Sequence, residues 1–433
     1  MSPSIGAAGT HQRCADCGTV YAETDARTRC TCGGLLDVVH PMQELTSELR
    51  DRWTTRARAA RLRSASGVWR YLELVMPSAG DRIVSHPEGN TPLLERSAIA
   101  RYAGAERMLL KHEGLNPTGS FKDRGMTVGM TQALRIGARA VACASTGNTS
   151  ASMAAYAAQA GIPAFVFVPA GQVSTGKLAQ ALAYGARTLI VRGDFDDCLR
   201  LVQDASDALG IYMLNSINPW RVEGQKTIVL ELLQQLDWQP PDWIVLPAGN
   251  LGNTASFGKA LREAWALGLI PRLPRLAAIQ ASGASPFASS FRDEFIVRHR
   301  SRAETVATAI RIGDPASYDR AVDAIRVTNG VVTDVSDDAI LDAKAVVDAS
   351  GVGCEPASAA AVAGTRRLVA EGVIGAGEQV VAVLTGHVLK DPGTLLRYHQ
   401  ETDPPPQRAN RPVEIDATLQ AVDAALRQQG LGA

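Results

Sequence analysis

From about residue 105 onward, short unbroken apolar runs alternate with longer stretches in which apolar positions recur at helical spacing. Residues 107–111, 140–144, 164–168, 188–191, 243–247, 276–280 and 379–384 read as strands. Helices are expected over 120–135, from Thr149, over about 175–184, from Asp194 and from Thr254. Strands that are apolar throughout, with no alternation, are buried on both faces. That requires a parallel sheet with helices above and below it. Ligands in such sheets bind beyond the carboxyl ends of the strands. The polar turns after each strand are therefore the places to look for chemistry.

The flanking regions read differently. Residues 42–85 are charged and helical in pattern, and DRWTTRARAARLR within them reads as a solvated basic face with no function. Beyond Asp391 the chain turns polar and is broken at Pro404-Pro405-Pro406; residues 413–428 then read as an amphipathic helix for packing or subunit contact. The 433 residues are long for one core. The segmentation expected is a cysteine ribbon over 1–40, a helical linker over 41–85, a catalytic body over 86–400 with a smaller subdomain near 105–215, and a tail over 401–433.

Composition narrows the classes. Forty-four basic residues balance 44 acidic ones, so no global field draws the chain to nucleic acid or an anionic membrane. No apolar run is long enough for a bilayer, and the N-terminus has no basic region followed by an apolar core. Seven cysteines, an odd number, suit a reducing cytoplasm better than a disulfide framework. Four of them, Cys14, Cys17, Cys30 and Cys32, lie on two glycine-bearing turns. Such thiolates can hold a structural zinc tetrahedrally, although Cys30-x-Cys32 is one residue short of the usual spacing. A zinc site and a metal-free ribbon both stand at this point.

Candidate chemistry sits on the turns. In EGLNPTGSFKDR, Asn116-Pro117-Thr118-Gly119 is turn chemistry, Ser120 reads as an N-cap, and Lys122 falls at the start of a helix. Taken alone, Lys122 would be a surface lysine. Gly249, Asn250, Leu251, Gly252 and Asn253 follow an apolar strand and precede a helix, an arrangement suited to phosphate. They have neither the GxGxxG spacing of a dinucleotide loop nor the Gly-Lys-Ser/Thr of a nucleotide-triphosphate loop. Ser145-Thr146-Gly147-Asn148-Thr149 forms a second polar turn, and Leu384-Thr385-Gly386-His387 ends the last apolar strand. Lys177 and the run Asn215-Ser216-Ile217-Asn218-Pro219-Trp220-Arg221 carry cationic and neutral donor side chains, each of which taken singly would be a surface residue.

In this order, the segments resemble the threonine synthase family, pyridoxal-phosphate (PLP) enzymes of fold type II, over roughly residues 89–392. The resemblance implies two doubly wound parallel-sheet subdomains. It makes Lys122 the Schiff-base lysine and catalytic base, and GNLGN the loop for the cofactor phosphate. Asn148 would meet the 3′-oxygen and Thr385 the pyridine nitrogen. Ser145, Thr146 and Thr149 would take the substrate α-carboxylate; Lys177, Asn215, Ser216 and Arg221 would take the phosphate of O-phospho-L-homoserine. Trp220 stands where the family often has His, which puts a difference at the pocket rim. A cytoplasmic homodimer making L-threonine, the last step of that biosynthesis, is the expectation.

Overall fold

The computed structural model describes residues 9–42, 48–59, 63–170 and 175–428. Three sheets form among them. A small antiparallel sheet, ordered β2-β1-β3, comprises β1 (His11–Cys14), β2 (Val20–Ala22) and β3 (Leu36–Val39). Next in the chain come β4 (Leu93–Glu95) and β5 (Arg107–His112). A four-stranded parallel sheet follows from β6 (Ala140–Ala144), β7 (Ala164–Pro169), β8 (Arg187–Val191) and β9 (Ile211–Met213), ordered β8-β7-β6-β9. The chain then completes a six-stranded sheet with β10 (Trp243–Pro247), β11 (Arg275–Ala281), β12 (Val331–Val335) and β13 (Gln379–Leu384). Its order is β12-β11-β10-β13-β5-β4, parallel except for β4.

Strand order decides which loops meet. β13 pairs with β5 from Gln379↔Arg107 to Leu384↔His112, so the loops beginning at Thr385 and Glu113 emerge side by side. β6 pairs with β9, bringing the turn after Ala144 beside Asn215 and Ser216. Crossover order therefore assembles what the sequence scatters.

Three expectations change. Residues 42–85 are not a solvated linker. Their described part is a helix, Leu49–Arg58, followed by short turns, and Trp53, Trp69, Tyr71 and Leu74 are fully buried in the largest apolar core. Arg52 and Arg56 pair with Glu73; residues 60–62 of the basic run lie outside the described residues. Aromatic residues at irregular spacing gave too weak a period to announce that burial. Second, β9, β4 and β12 are short or polar-interrupted strands, which carry little apolar signal of their own. Third, the last helix begins at Leu419 and not at Val413. Residues 391–433 form a compact unit of their own, separate from the unit containing the sheets, which ends at Lys390.

A fully buried ionic network underlies the Lys122 turn. Arg124 reaches Glu113 (Nε–Oε2 2.7 Å) and Glu231 (Nη2–Oε1 2.8 Å), while Lys111 Nζ lies 2.6 Å from the same Glu231 oxygen. Glu231 also accepts the backbone N–H groups of Asn90 and Thr91. Despite burial, the guanidinium of Arg124 and the ammonium of Lys111 hold Glu231 well below the usual carboxylate range. Charges so deep persist only when every one is paired. The result is a fixed platform two residues from Lys122.

Candidate active site

The helix that carries Lys122 runs Lys122–Arg135, with Phe121 at its N-cap. Ser120 does not cap it as expected, although its Oγ accepts the Lys122 N–H at 3.4 Å. The reason is a competing pairing: Ser120 bridges to Gly386 in antiparallel fashion. The Phe121 N–H donates to Thr385 O (3.0 Å) and the His387 N–H to Gly119 O (2.9 Å). The lysine segment is thereby stitched to the end of β13.

Lys122 keeps some exposed surface, yet its amine sits within a dense shell of protein. Burial first, and the nearby Arg221 guanidinium second, lower its pKa to about 7, with Glu355 opposing. Its Nζ lies 4.4 Å from the Phe121 ring centroid, and no hydrogen-bond acceptor meets it among the described residues. An unpaired amine whose neutral form is available near pH 7 can act as a nucleophile toward a carbonyl. The neighbouring Asp123 is buried and accepts from Thr118 N–H (2.7 Å) and Ser152 Oγ (2.6 Å). It ties the turn to the helix Asn148–Ala160.

Asn148 opens that helix and donates from Nδ2 to Glu355 Oε2 (3.0 Å). Thr385 Oγ1 reaches the other oxygen, Oε1, at 3.3 Å. Glu355 therefore joins the two residues expected on the cofactor ring. It is buried, and that burial raises its pKa while the Asn148 amide opposes the shift. Ser358, one turn along the helix Pro356–Ala370, lies 2.9 Å from Thr385 Oγ1. Neither Glu355 nor Ser358 was given a role from the sequence. An acidic residue set among small apolar ones before a helix-starting proline was the available signal.

The GNLGN turn follows β10 into the long helix Gly252–Ala266. Gly249 is required, because a Cβ there would lie 2.8 Å from Ile310 Cα. Asn250 braces the turn: Nδ2 donates to Ser216 Oγ (2.5 Å) and Oδ1 accepts the Ala316 N–H (2.7 Å). Leu251 takes a left-handed φ of 62° at the N-cap, a strained geometry for leucine. Beyond it, Asn253 Oδ1 and Thr254 Oγ1 are buried without a partner among the described residues. The first-turn N–H groups of a helix have no acceptors within it.

Arg221 is fully buried in the helix Pro219–Gln225. Nη1 donates to Leu214 O (3.0 Å), but Nε and Nη2 have no partner among the described residues. Burial lowers its pKa to about 10. Gly125 permits the approach, since a Cβ there would stand 2.9 Å from Arg221 O. Asn215 is largely committed: its side-chain amide exchanges two 3.1 Å hydrogen bonds with the Ala144 backbone, leaving one amide hydrogen over. Thr146 and Thr149 are half-buried, and their hydroxyls have no partner among the described residues; Ser145 Oγ accepts the Gly147 N–H. The side chain of Lys177 lies outside the described residues. Trp220 is fully buried in the main core, not placed at a pocket rim.

The four N-terminal cysteines converge. All four sulfurs lie within 4.8 Å of one another, with Cys14–Cys32 and Cys17–Cys30 at 3.5 Å. Gly34 makes room, for a Cβ there would lie 2.7 Å from the Cys14 sulfur. The short Cys30-x-Cys32 spacing thus does not prevent convergence.

Together, an unpaired amine of lowered pKa, unpaired polar atoms at a helix start, and an Asn/Thr pair across one carboxylate fit a pyridine aldehyde phosphate. Comparison with known proteins agrees. Residues 84–386 match the family described as pyridoxal-phosphate dependent enzyme. Threonine synthase of Methanosarcina acetivorans is 44% identical over 419 residues, 96% of this chain and 98% of its own. That of Methanocaldococcus jannaschii is 42% identical over 96% and 99%. Among solved structures, Escherichia coli threonine synthase superposes with a TM-score of 0.64 at 20% identity, over 93% of this chain and 95% of its own. A Rhizomucor miehei L-serine ammonia-lyase reaches 0.63 at 20% identity, over 72% of this chain and 98% of its own; at such identities the likeness is one of fold. With whole-length relatives of one kind and a site built for this cofactor, the chain belongs to the threonine synthase family of pyridoxal-phosphate dependent enzymes.

Proposed function

We propose that the chain converts O-phospho-L-homoserine and water into L-threonine and inorganic phosphate. The observation that carries the substrate assignment is Arg221, a buried guanidinium near Lys122 with two of its nitrogens unpaired. A desolvated cation without a counter-ion is costly, and a substrate phosphate would supply one. Ser216 and the spare amide hydrogen of Asn215 lie on the same loop and add neutral donors.

Pyridoxal phosphate, when bound, supplies the electron sink that acidifies the substrate beside its amine. Lys122 would carry it, the start of the Gly252–Ala266 helix would hold its phosphate, and Asn148 and Thr385 would meet the ring. The turn 145–149 receives the α-carboxylate on hydroxyls and free N–H groups. With its pKa lowered to about 7, a large share of the Lys122 amine is neutral near pH 7, and that form would take the Cα proton, then a Cβ proton. Arg221 stabilises the departing phosphate. Lys122 then returns one proton to Cγ, which becomes the methyl, and one to Cα; water adds at Cβ, and its proton ends on the released phosphate. We further read Cys14, Cys17, Cys30 and Cys32 as ligands of one structural zinc ion, on the convergence of their sulfurs.

The test is to follow phosphate, threonine and 2-oxobutyrate together with the PLP-loaded protein. Equal phosphate and threonine, lost in Lys122→Ala, support the reading. Oxobutyrate without threonine would assign an elimination enzyme instead.

A further inference from the structure

Thr385 is a hydroxyl, which can donate or accept; the family resemblance makes it a weak donor to the ring nitrogen, but the sequence shows nothing that would hold it in that role. Its surroundings do. Ser358 is fully buried, and its Oγ accepts two backbone N–H groups, from Thr385 at 2.8 Å and Gly386 at 3.0 Å. A serine hydroxyl has two acceptor lone pairs and one hydrogen. Both lone pairs are occupied, so the 2.9 Å contact between Ser358 Oγ and Thr385 Oγ1 is made with Ser358 donating. Thr385 must then spend its own hydrogen elsewhere. The acceptor present is Glu355 Oε1 at 3.3 Å, longer than a well-formed O–H···O bond of about 2.7–2.8 Å. Glu355 has a stronger partner in Asn148, on its other oxygen.

We propose that Ser358 is a positioning residue that makes Thr385 an obligate hydrogen-bond donor, with its hydrogen free for the pyridine nitrogen of the cofactor. The inference rests on the reading of this site as a pyridoxal-phosphate centre. Its consequence is that the ring nitrogen accepts a hydrogen bond and stays unprotonated. A directed donor gives a weaker electron sink than a protonated ring, and suits chemistry at the β- and γ-carbons of the substrate. Two backbone donors and one serine hydrogen fix the direction before any cofactor arrives.

The experiment is nitrogen-15 NMR of the holoenzyme reconstituted with ring-labelled pyridoxal phosphate. The wild type is expected to give the resonance of a neutral, hydrogen-bonded pyridine. In Ser358→Ala it moves toward a neutral nitrogen without a donor, and kcat falls about tenfold, the worth of one hydrogen bond. Thr385→Val moves it the same way, and the double variant moves it no further than Thr385→Val alone. Thr385→Ser keeps the wild-type resonance. Should Ser358→Ala not fold, Ser358→Cys, a weaker donor, should give a smaller shift of the same sign. A protonated ring nitrogen in the wild type, an unchanged resonance in the Ser358 variants, or additive shifts in the double variant would overturn the proposal. Failure of the wild type to bind the cofactor, seen as absent visible absorption, would instead strike the cofactor reading itself.

Discussion

Lys122 and Arg221 differ in how much of each the sequence disclosed. The position of Lys122, at a helix start after a Gly-bearing turn, could be read from its neighbours. Its lowered pKa could not, because it depends on protein packed around the amine and on Arg221, which is remote in sequence. That pKa gives a pH prediction. An ordinary lysine amine, pKa about 10.4, becomes steadily more nucleophilic up to pH 10. Capture of pyridoxal phosphate by the cofactor-free protein should rise through pH 7 and then level off, as the neutral fraction saturates. A rate still climbing tenfold per unit at pH 9 would place the amine in an ordinary environment. Arg221 was legible as a cation, but its missing partners were not. Arg221→Gln should keep the cofactor absorbance while kcat/KM for O-phospho-L-homoserine falls roughly 10- to 100-fold, the range for charge-assisted hydrogen bonds. Unchanged kinetics would remove Arg221 from the phosphate site. Glu355 carried only a faint signal before Pro356 and Ser358 none, since their contacts come from Asn148 and Thr385, brought to them by the crossover order.

Among the elements, the helix Pro219–Gln225 links the cysteine ribbon to the catalytic body. His40, just past β3, meets Glu223 at 2.8 Å, and Lys226 meets it at 2.6 Å; all three side chains are fully buried. Lys259 joins the same carboxylate and also donates to Val38 O at 2.5 Å. Burial holds the His40 pKa down, with Glu223 opposing, whereas Lys226 and Lys259 hold Glu223 far below its usual range against the effect of its own burial. Glu223→Gln would leave buried cations without their shared acceptor and should destabilise the protein by about 3–5 kcal/mol, read from the urea midpoint. A shift under about 1 kcal/mol would mean that Glu263 alone, 2.7 Å from Lys226, satisfies the cations. None of this was visible in the chain, where His40 and Glu223 lie far apart. The cysteine cluster was legible from the spacing of its residues, and the convergence of its four sulfurs bears on the zinc reading. Metal analysis should find one zinc per chain, and its removal by chelator, or Cys17→Ser, should lower the melting temperature. A metal-free protein with an unchanged melting temperature would return the ribbon to the other reading.

At the level of the whole molecule, unbroken apolar runs made the parallel sheets foreseeable, and the candidate turns lie at their carboxyl ends. What the pattern could not give was strand order, because each run looks alike whether central or peripheral. The order β12-β11-β10-β13-β5-β4 sets the Thr385 loop between those of the GNLGN turn and the Lys122 segment. The GNLGN turn, Thr385 and the Lys122 segment thereby follow three neighbouring strands, while the smaller sheet contributes the turn 145–149, with Asn148, and the loop before Arg221. In the proposed reaction both sheets would meet the cofactor ring, through Thr385 and Asn148, and the smaller one would bring the donors for the substrate. The most direct test is a single time course with O-phospho-L-homoserine and the PLP-loaded protein, measuring phosphate and threonine in the same samples. The account predicts that they appear one for one and that neither appears with Lys122→Ala. Release of phosphate without threonine, or turnover that survives loss of Lys122, would contradict it.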